Sequence, residues 1–271
     1  MLIKYNDDFS INVNYPYLNK PKHVIIFVHG FTCSSDDWEK LIKFLQDDIL
    51  CITYDLPGHG KTTTHDNLDY YSLDFQLKII DFVKEFFQLN NFGLYGYSMG
   101  GRIALNYALT RKIDFLILES TSPGIENADE RKQRYEEDKK LADFISRQPL
   151  KLFVDEWINK DIFKYKQLLN SNEIEELKQK KLRNAKTGLI NSLLALSQGF
   201  IEPVWNKLEN LDFPVLLLSG SEDEKYSKIH KRMSNSLPNV QNVSIKGVSH
   251  NIHSIKAESL SQFVKAFIAN L

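Results

Sequence analysis

The chain has 271 residues and a formal net charge of −1, with 34 Lys+Arg against 35 Asp+Glu; 42% of its residues are hydrophobic and 25% charged. That composition belongs to globular chains and excludes wholesale disorder, while the balanced charge excludes a global basic field for holding nucleic acid. The length leaves two arrangements open, two small domains or one large α/β domain carrying an insertion.

In chain order, Leu2–Tyr5 and Ile11–Val13 can form a hairpin, and β-rich apolar runs follow at His23–Val28 and Ile49–Tyr54. Ser72–Leu89 has a helical pattern, with Leu73, Leu77, Ile80, Val83, Phe86 and Phe87 at spacings of three and four. Further apolar runs lie at Phe92–Tyr97, Ile113–Leu118, Pro214–Ser219 and Val240–Ile245, and Leu260–Leu271 reads as a closing helix. Such runs suit central parallel strands buried on both faces, and their alternation with helices predicts a right-handed, doubly wound sheet. Residues 124–202 break the rhythm. They hold no convincing strand, 14 acidic and 15 basic residues, and apolar residues at helical spacing, such as Leu141, Phe144 and Ile145. The expected organisation is a core of 1–123 and 203–271 interrupted by a helical insertion at 124–202.

Cys33 and Cys51 fit neither a disulfide framework nor a zinc site, and are expected as buried small hydrophobes in a reducing compartment. The opening MLIKYNDDFSINVNY lacks the apolar run of a signal peptide, and no run of about 18 apolar residues could span a bilayer. A cytoplasmic protein without membrane or nucleic-acid partners is expected. No motif calls for a metal or cofactor.

The motif that carries chemistry is Gly96-Tyr97-Ser98-Met99-Gly100-Gly101, between the apolar run at Phe92–Tyr95 and the helical run Arg102–Leu105. A bare G-x-S-x-G is weak, but a strained strand–turn–helix setting is what this nucleophile elbow requires. It projects the serine Oγ beside a helix N-terminus. His29-Gly30-Phe31-Thr32 ends an earlier run, so the N–H groups of Phe31 and Met99 can form an oxyanion hole. Asp223 follows the run ending at Ser219, and His250 follows the one ending at Ile245. Ser98, Asp223 and His250 thus stand in the chain order of an α/β-hydrolase triad, with His250 as base and Asp223 fixing its tautomer. Glu222 and Glu224 are rival acids, and His253 is a rival base. The expected fold is the α/β-hydrolase fold, a mostly parallel central sheet flanked by helices, with a helical lid.

Several strings point further. Ser122-Pro123-Gly124-Ile125 is followed by Glu130-Arg131-Lys132-Gln133-Arg134-Tyr135 and Asp138; Arg102 follows the elbow; Phe153–Trp157, Arg183 and Gly220-x-x-Asp223-x-Lys225-Tyr226 come later. Over about Val28–His250 this resembles the 2-succinyl-6-hydroxy-2,4-cyclohexadiene-1-carboxylate synthases of menaquinone biosynthesis. The resemblance implies a lyase rather than a hydrolase, one that eliminates pyruvate from 2-succinyl-5-enolpyruvyl-6-hydroxy-3-cyclohexene-1-carboxylate. It further implies that Arg102, Arg134 and Arg183 bind the carboxylates of this small tricarboxylate, and that Tyr97, Trp157 and Thr32 line the pocket. The chain departs from the family at Cys33, where relatives often have glycine. A serine hydrolase of the same fold, acting on esters or C–C bonds, is the alternative; a catalytically silent binding module is disfavoured by the intact triad.

Overall fold

The computed structural model describes residues 1–16, 21–160, 167 and 169–271. Eight strands form one sheet: β1 (Leu2–Lys4), β2 (Ser10–Asn14), β3 (His23–Val28), β4 (Ile49–Tyr54), β5 (Gly93–Tyr97), β6 (Leu116–Glu119), β7 (Val215–Gly220) and β8 (Val240–Ile245). Their spatial order is β1-β2-β4-β3-β5-β6-β7-β8. The β1–β2 and β2–β4 pairs are antiparallel and all the others parallel. Ten helices are described: α1 (Glu39–Leu45), α2 (Leu73–Phe86), α3 (Met99–Ala108), α4 (Ala128–Arg147), α5 (Leu150–Trp157), α6 (Ser171–Leu182), α7 (Lys186–Ala195), α8 (Glu224–Ser234), α9 (Ile252–Ile255) and α10 (Ala257–Ile268).

The apolar runs become the central strands because helices cover both faces. Ile26, Val28, Leu94, Leu116 and Leu217 pack with Ile80 and Ile103 on one side, while Ile25, Phe27, Tyr95 and Leu218 pack with Trp38 and Leu260 on the other. After β3 the chain goes to one side of the sheet for β4 and to the other for β5. The carboxyl ends of β3 and β5 therefore flank the crevice where such sheets bind ligands.

Local chemistry shifts some boundaries. The Ser72 hydroxyl accepts the N–H of Phe75 and starts α2, which stops at Phe86 instead of reaching Leu89, because Gln88 turns to φ +52°. Phe86, expected on the apolar face, is exposed there. The sixth strand begins at Leu116, later than Ile113, and the closing helix begins at Ala257, earlier than Leu260.

Between β6 and β7 the described residues contain helices and no strand. Residues 161–166 and 168 of the expected 124–202 insertion lie outside the described set. Asn127 caps α4 by accepting the N–H groups of Asp129 and Glu130, and Asn170 forms a capping box with Glu173 at α6. Ile145, Phe153, Val154, Ile158 and Leu189 form a small core of their own, joined to the sheet domain through Phe31. On α4 the buried residues Asp138, Ala142 and Ile145 fall at steps of four and three, which places a carboxylate on the inward face.

Candidate active site

Three non-glycine residues with left-handed backbone stand where β3, β5 and β6 end: Thr32 (φ +65°), Ser98 (φ +51°) and Ser120 (φ +49°). Strain of this kind persists only where the surroundings hold it, and it clusters at functional sites. At Ser98 the cause is plain. A Cβ at Gly96 would lie 2.6 Å from the Gly100 carbonyl oxygen, and one at Gly100 would collide with the Val28 carbonyl, so the turn closes only with glycines there.

Ser98 then meets its partners. His250 Nε2 lies 3.0 Å from Ser98 Oγ, and His250 Nδ1 lies 2.7 Å from Asp223 Oδ2. Asp223 caps α8, its other oxygen accepting the Tyr226 N–H at 3.3 Å, which fixes the carboxylate towards the imidazole. Glu222 and Glu224 make no such contact, and His253 turns to Glu119. The imidazole is bracketed by the Tyr97 and Tyr226 rings, at centroid distances of 5.4 and 4.8 Å.

The loop after β3 is held by His29, whose Nδ1 donates to the Gly30 carbonyl while Nε2 accepts the Leu56 N–H at 2.9 Å. Complete burial lowers its pKa, the Asp55 charge opposing only in part, so this ring is a neutral brace. Phe31 in that loop and Met99 at the start of α3 both line the cavity with Ser98. The first N–H groups of a helix have no intrahelical acceptor, so that of Met99 is available to an oxyanion.

The cavity measures about 380 Å³, and its wall includes Tyr97, Ser98, Arg102, Arg134, Asp138, Trp157, Lys160, Gln198, Lys225, Tyr226 and His250. Arg102 is only 8% exposed. One of its amino groups donates to the Leu196 carbonyl at 2.7 Å, while its Nε is buried with no partner among the described residues. Burial pulls its pKa down to about 10, with Arg134 acting the same way and Tyr226 against, so it remains a cation at neutral pH. Arg134 donates its Nε to both Asp138 oxygens at 3.0 Å, and Asp138 also accepts the Ser197 hydroxyl at 2.6 Å. Trp157 meets Phe31 edge to face at 5.3 Å.

Two expected lining residues are elsewhere. Arg183, at the C-cap of α6, is exposed and pairs with Asp36 at 2.9 Å. Two residues along a helix is a rotation of about 200°, so the inward side chain is Lys181, which donates to the Thr32 hydroxyl at 3.0 Å. Thr32 is 1% exposed, and its carbonyl accepts the Asn184 amide at 2.9 Å. It fastens α6 to the core and does not line the cavity among the described residues. Lys160, Gln198 and Tyr226 were not anticipated as lining. Tyr226 lay inside the Gly220–Tyr226 string, whereas nothing in a charge-rich segment sets Lys160 apart.

A family model described as the alpha/beta hydrolase fold matches residues 23–257, and the chain belongs to that family. Within it, the chain belongs with the 2-succinyl-6-hydroxy-2,4-cyclohexadiene-1-carboxylate synthases. A Bacillus subtilis protein assigned that name is 34% identical over 249 residues, which cover 91% of this chain and 90% of the relative. A synthase of the same name from Photorhabdus laumondii is 28% identical, covering 90% and 85%. The solved structure of MenH from S. aureus superposes with a TM-score of 0.90 at 28% identity, covering 95% of this chain and 98% of that one. An esterase from Thermogutta terrifontis, 20% identical with a TM-score of 0.84 and covering 97% and 94%, shares the fold.

Proposed function

We propose that this chain is a lyase of menaquinone biosynthesis, working in the cytoplasm, that converts 2-succinyl-5-enolpyruvyl-6-hydroxy-3-cyclohexene-1-carboxylate to 2-succinyl-6-hydroxy-2,4-cyclohexadiene-1-carboxylate and pyruvate. The observation that carries the reading is a buried cation, Arg102, in the wall of the cavity that also holds the hydrogen-bonded Ser98–His250 pair. A neutral ester needs no buried cation in its pocket, whereas a tricarboxylate needs fixed positive donors.

The substrate and product names define the electron flow. The proton at C2, next to the succinyl ketone, leaves to Ser98 Oγ as the hydroxyl proton passes to His250 Nε2. The C2–H pair forms C2=C3, the C3=C4 pair moves to C4=C5, and the C5–O bond breaks. Enolpyruvate departs and takes up the proton held by His250 to become pyruvate, which restores the resting pair. Negative charge collects on the succinyl oxygen, where the Phe31 and Met99 N–H groups act as an oxyanion hole. Asp223 stabilises the imidazolium formed in between. Arg102 and Arg134 bind ring or succinyl carboxylates, with Tyr97 and Trp157 as apolar walls. Arg134 comes to the ligand already paired with Asp138, which holds it in place and mutes its charge.

Purified protein given the enolpyruvyl cyclohexene should release pyruvate, followed by a coupled lactate dehydrogenase, together with growth of diene absorbance. No turnover combined with rapid hydrolysis of simple esters would replace this reading with that of a serine hydrolase.

A further inference from the structure

Glu119 ends β6 and is fully buried, and its carboxylate bonds to none of the triad side chains. A buried carboxylate is tolerated only when donors surround it, so its partners show what it is there for. Oε1 accepts the N–H of Ile252 at 2.8 Å, the N–H of His253 at 3.1 Å and His253 Nδ1 at 2.9 Å. Oε2 accepts the Tyr95 hydroxyl at 2.7 Å. All three donors on Oε1 come from the turn that begins two residues after His250. At the same residue the backbone carbonyl accepts the N–H of Ser98 at 2.9 Å. One residue therefore holds the backbone of the nucleophile and the loop of the base.

The surroundings make this a rigid connection. The His253 ring lies against Trp38, with centroids 4.3 Å apart, and meets Tyr97 edge to face at 4.7 Å. Burial alone would raise the Glu119 pKa, but the facing His253 and the hydrogen bonds from His253 and Tyr95 outweigh it, and the group stays below its ordinary value. Glu119 is thus an ionised acceptor at neutral pH, and charge-assisted bonds of this type are the stronger ones.

We propose that Glu119 is a positioning residue, whose buried carboxylate fixes the 250–253 turn so that His250 Nε2 meets Ser98 Oγ. Without it, two backbone N–H groups and an imidazole N–H lose their acceptor, and the turn relaxes to find others. A displacement of about 1 Å at a reacting group costs on the order of 10²-fold in rate.

The test uses Glu119→Leu and Glu119→Gln, each compared with the wild-type chain. A small fluorophosphonate reports on the Ser98–His250 pair whatever the natural substrate. Ser98 Oγ attacks phosphorus, fluoride leaves, and the hydroxyl proton goes to His250. For folded Glu119→Leu, the phosphonylation rate and the kcat for pyruvate release should both fall about 10²-fold with KM unchanged. Glu119→Gln, which keeps one neutral acceptor for the two backbone N–H groups, should recover part of both. Wild-type rates in folded Glu119→Leu, or a loss accounted for by the unfolded fraction alone, would overturn the proposal. Should neither variant fold, His253→Leu and His253→Asn make the same comparison, since the asparagine amide can replace the Nδ1 donor. Lower rates in the leucine variant with recovery in the asparagine variant support the role, and equal rates in the two refute it. If the substitutions slow phosphonylation as expected but the wild-type chain does not turn over the cyclohexene, the proposed reaction fails and the role of Glu119 stands.

Discussion

Replacing Arg102 with methionine separates an anion-binding cavity from an ordinary helix surface. The methionine keeps most of the side-chain length and removes the charge at a position 8% exposed. Within the protein the change loses one donor to the Leu196 carbonyl, 2.7 Å away. That charge-assisted bond is worth about 1.5–3 kcal/mol, and relief of the buried, partly unsatisfied guanidinium offsets much of it, so stability should change little. The bound substrate carboxylate fares worse, because it keeps its charge against the buried Arg102 position and loses its partner. Such truncations cost about 2–5 kcal/mol, which is roughly 30- to 5,000-fold in kcat/KM. The comparison is Arg183→Met. Its side chain is 55% exposed and pairs with Asp36 across the surface, a contact worth about 0–1 kcal/mol at most, so kcat/KM should stay within about twofold of wild type. Pyruvate release at varied substrate concentration, with thermal unfolding of each variant as the control, measures both effects. Equal losses at the two positions, or an Arg102→Met enzyme within about threefold of wild type at unchanged Tm, would refute the assignment of Arg102 as a buried carboxylate partner.

Three further outcomes follow from the same geometry. Asp223→Asn should lower kcat about 10⁴-fold with little change in KM, since the imidazole loses its orienting acceptor; pyruvate release measures this, and a loss under tenfold would contradict the triad. Acid should destabilise the fold before the carboxylates titrate. Burial lowers His59 to about 3 and His230 to about 4, while the unfolded chain protonates near pH 6.5, so their stabilisation is complete above that pH and is lost as pH falls towards 4. Between pH 7 and 5 each contributes a loss of about 2 kcal/mol, and a urea midpoint flat over that range would contradict it. Finally, burial raises both Cys33 and Cys51 to about 12, so neither thiol should react with a disulfide reagent at pH 8 until the chain is unfolded in guanidinium chloride; prompt reaction of the native protein would contradict their burial.

What could be read from the sequence depended on whether a residue's role is local. The elbow was legible because its constraint is local: Gly96, Ser98 and Gly100 must share one turn, and the apolar run before them and helical run after them are visible in order. Asp223 and His250 were legible because each follows its own strand in a parallel sheet, where the carboxyl ends gather at one edge. Arg183 shows the opposite case. Its position along the chain resembled the family's, but inward or outward direction depends on helix phase, and α6 presents Lys181 to the core. Thr32 sits beside the oxyanion loop in sequence, yet its left-handed backbone turns the side chain under α6. Glu119 was invisible for a third reason. It ends an apolar run like many turn carboxylates, and its four donors come from Tyr95 and from a turn more than 130 residues further along the chain.

The same triad serves esterases of this fold, so the choice between hydrolysis and elimination must come from what surrounds it. The sheet domain supplies the nucleophile, base and acid, and the helical segment between β6 and β7 supplies much of the remaining wall. Arg134 and Asp138 come from α4, Trp157 from α5, and Ser192, Leu193, Leu196 and Ser197 from α7 and the residues after it. Even Arg102, which belongs to the sheet domain, is aimed by the carbonyl of Leu196. In the proposed reaction, carboxylates held this way would present the substrate's C2–H rather than a carbonyl carbon to Ser98, and the serine would carry a proton instead of attacking as a nucleophile. The near-zero charge of the whole chain is compatible with this, because Arg134 is matched by Asp138 and Arg183 by Asp36, while Arg102 has no carboxylate of its own among the described residues. That buried guanidinium in the cavity wall with Ser98 is what a polyanionic substrate can use and a neutral ester cannot.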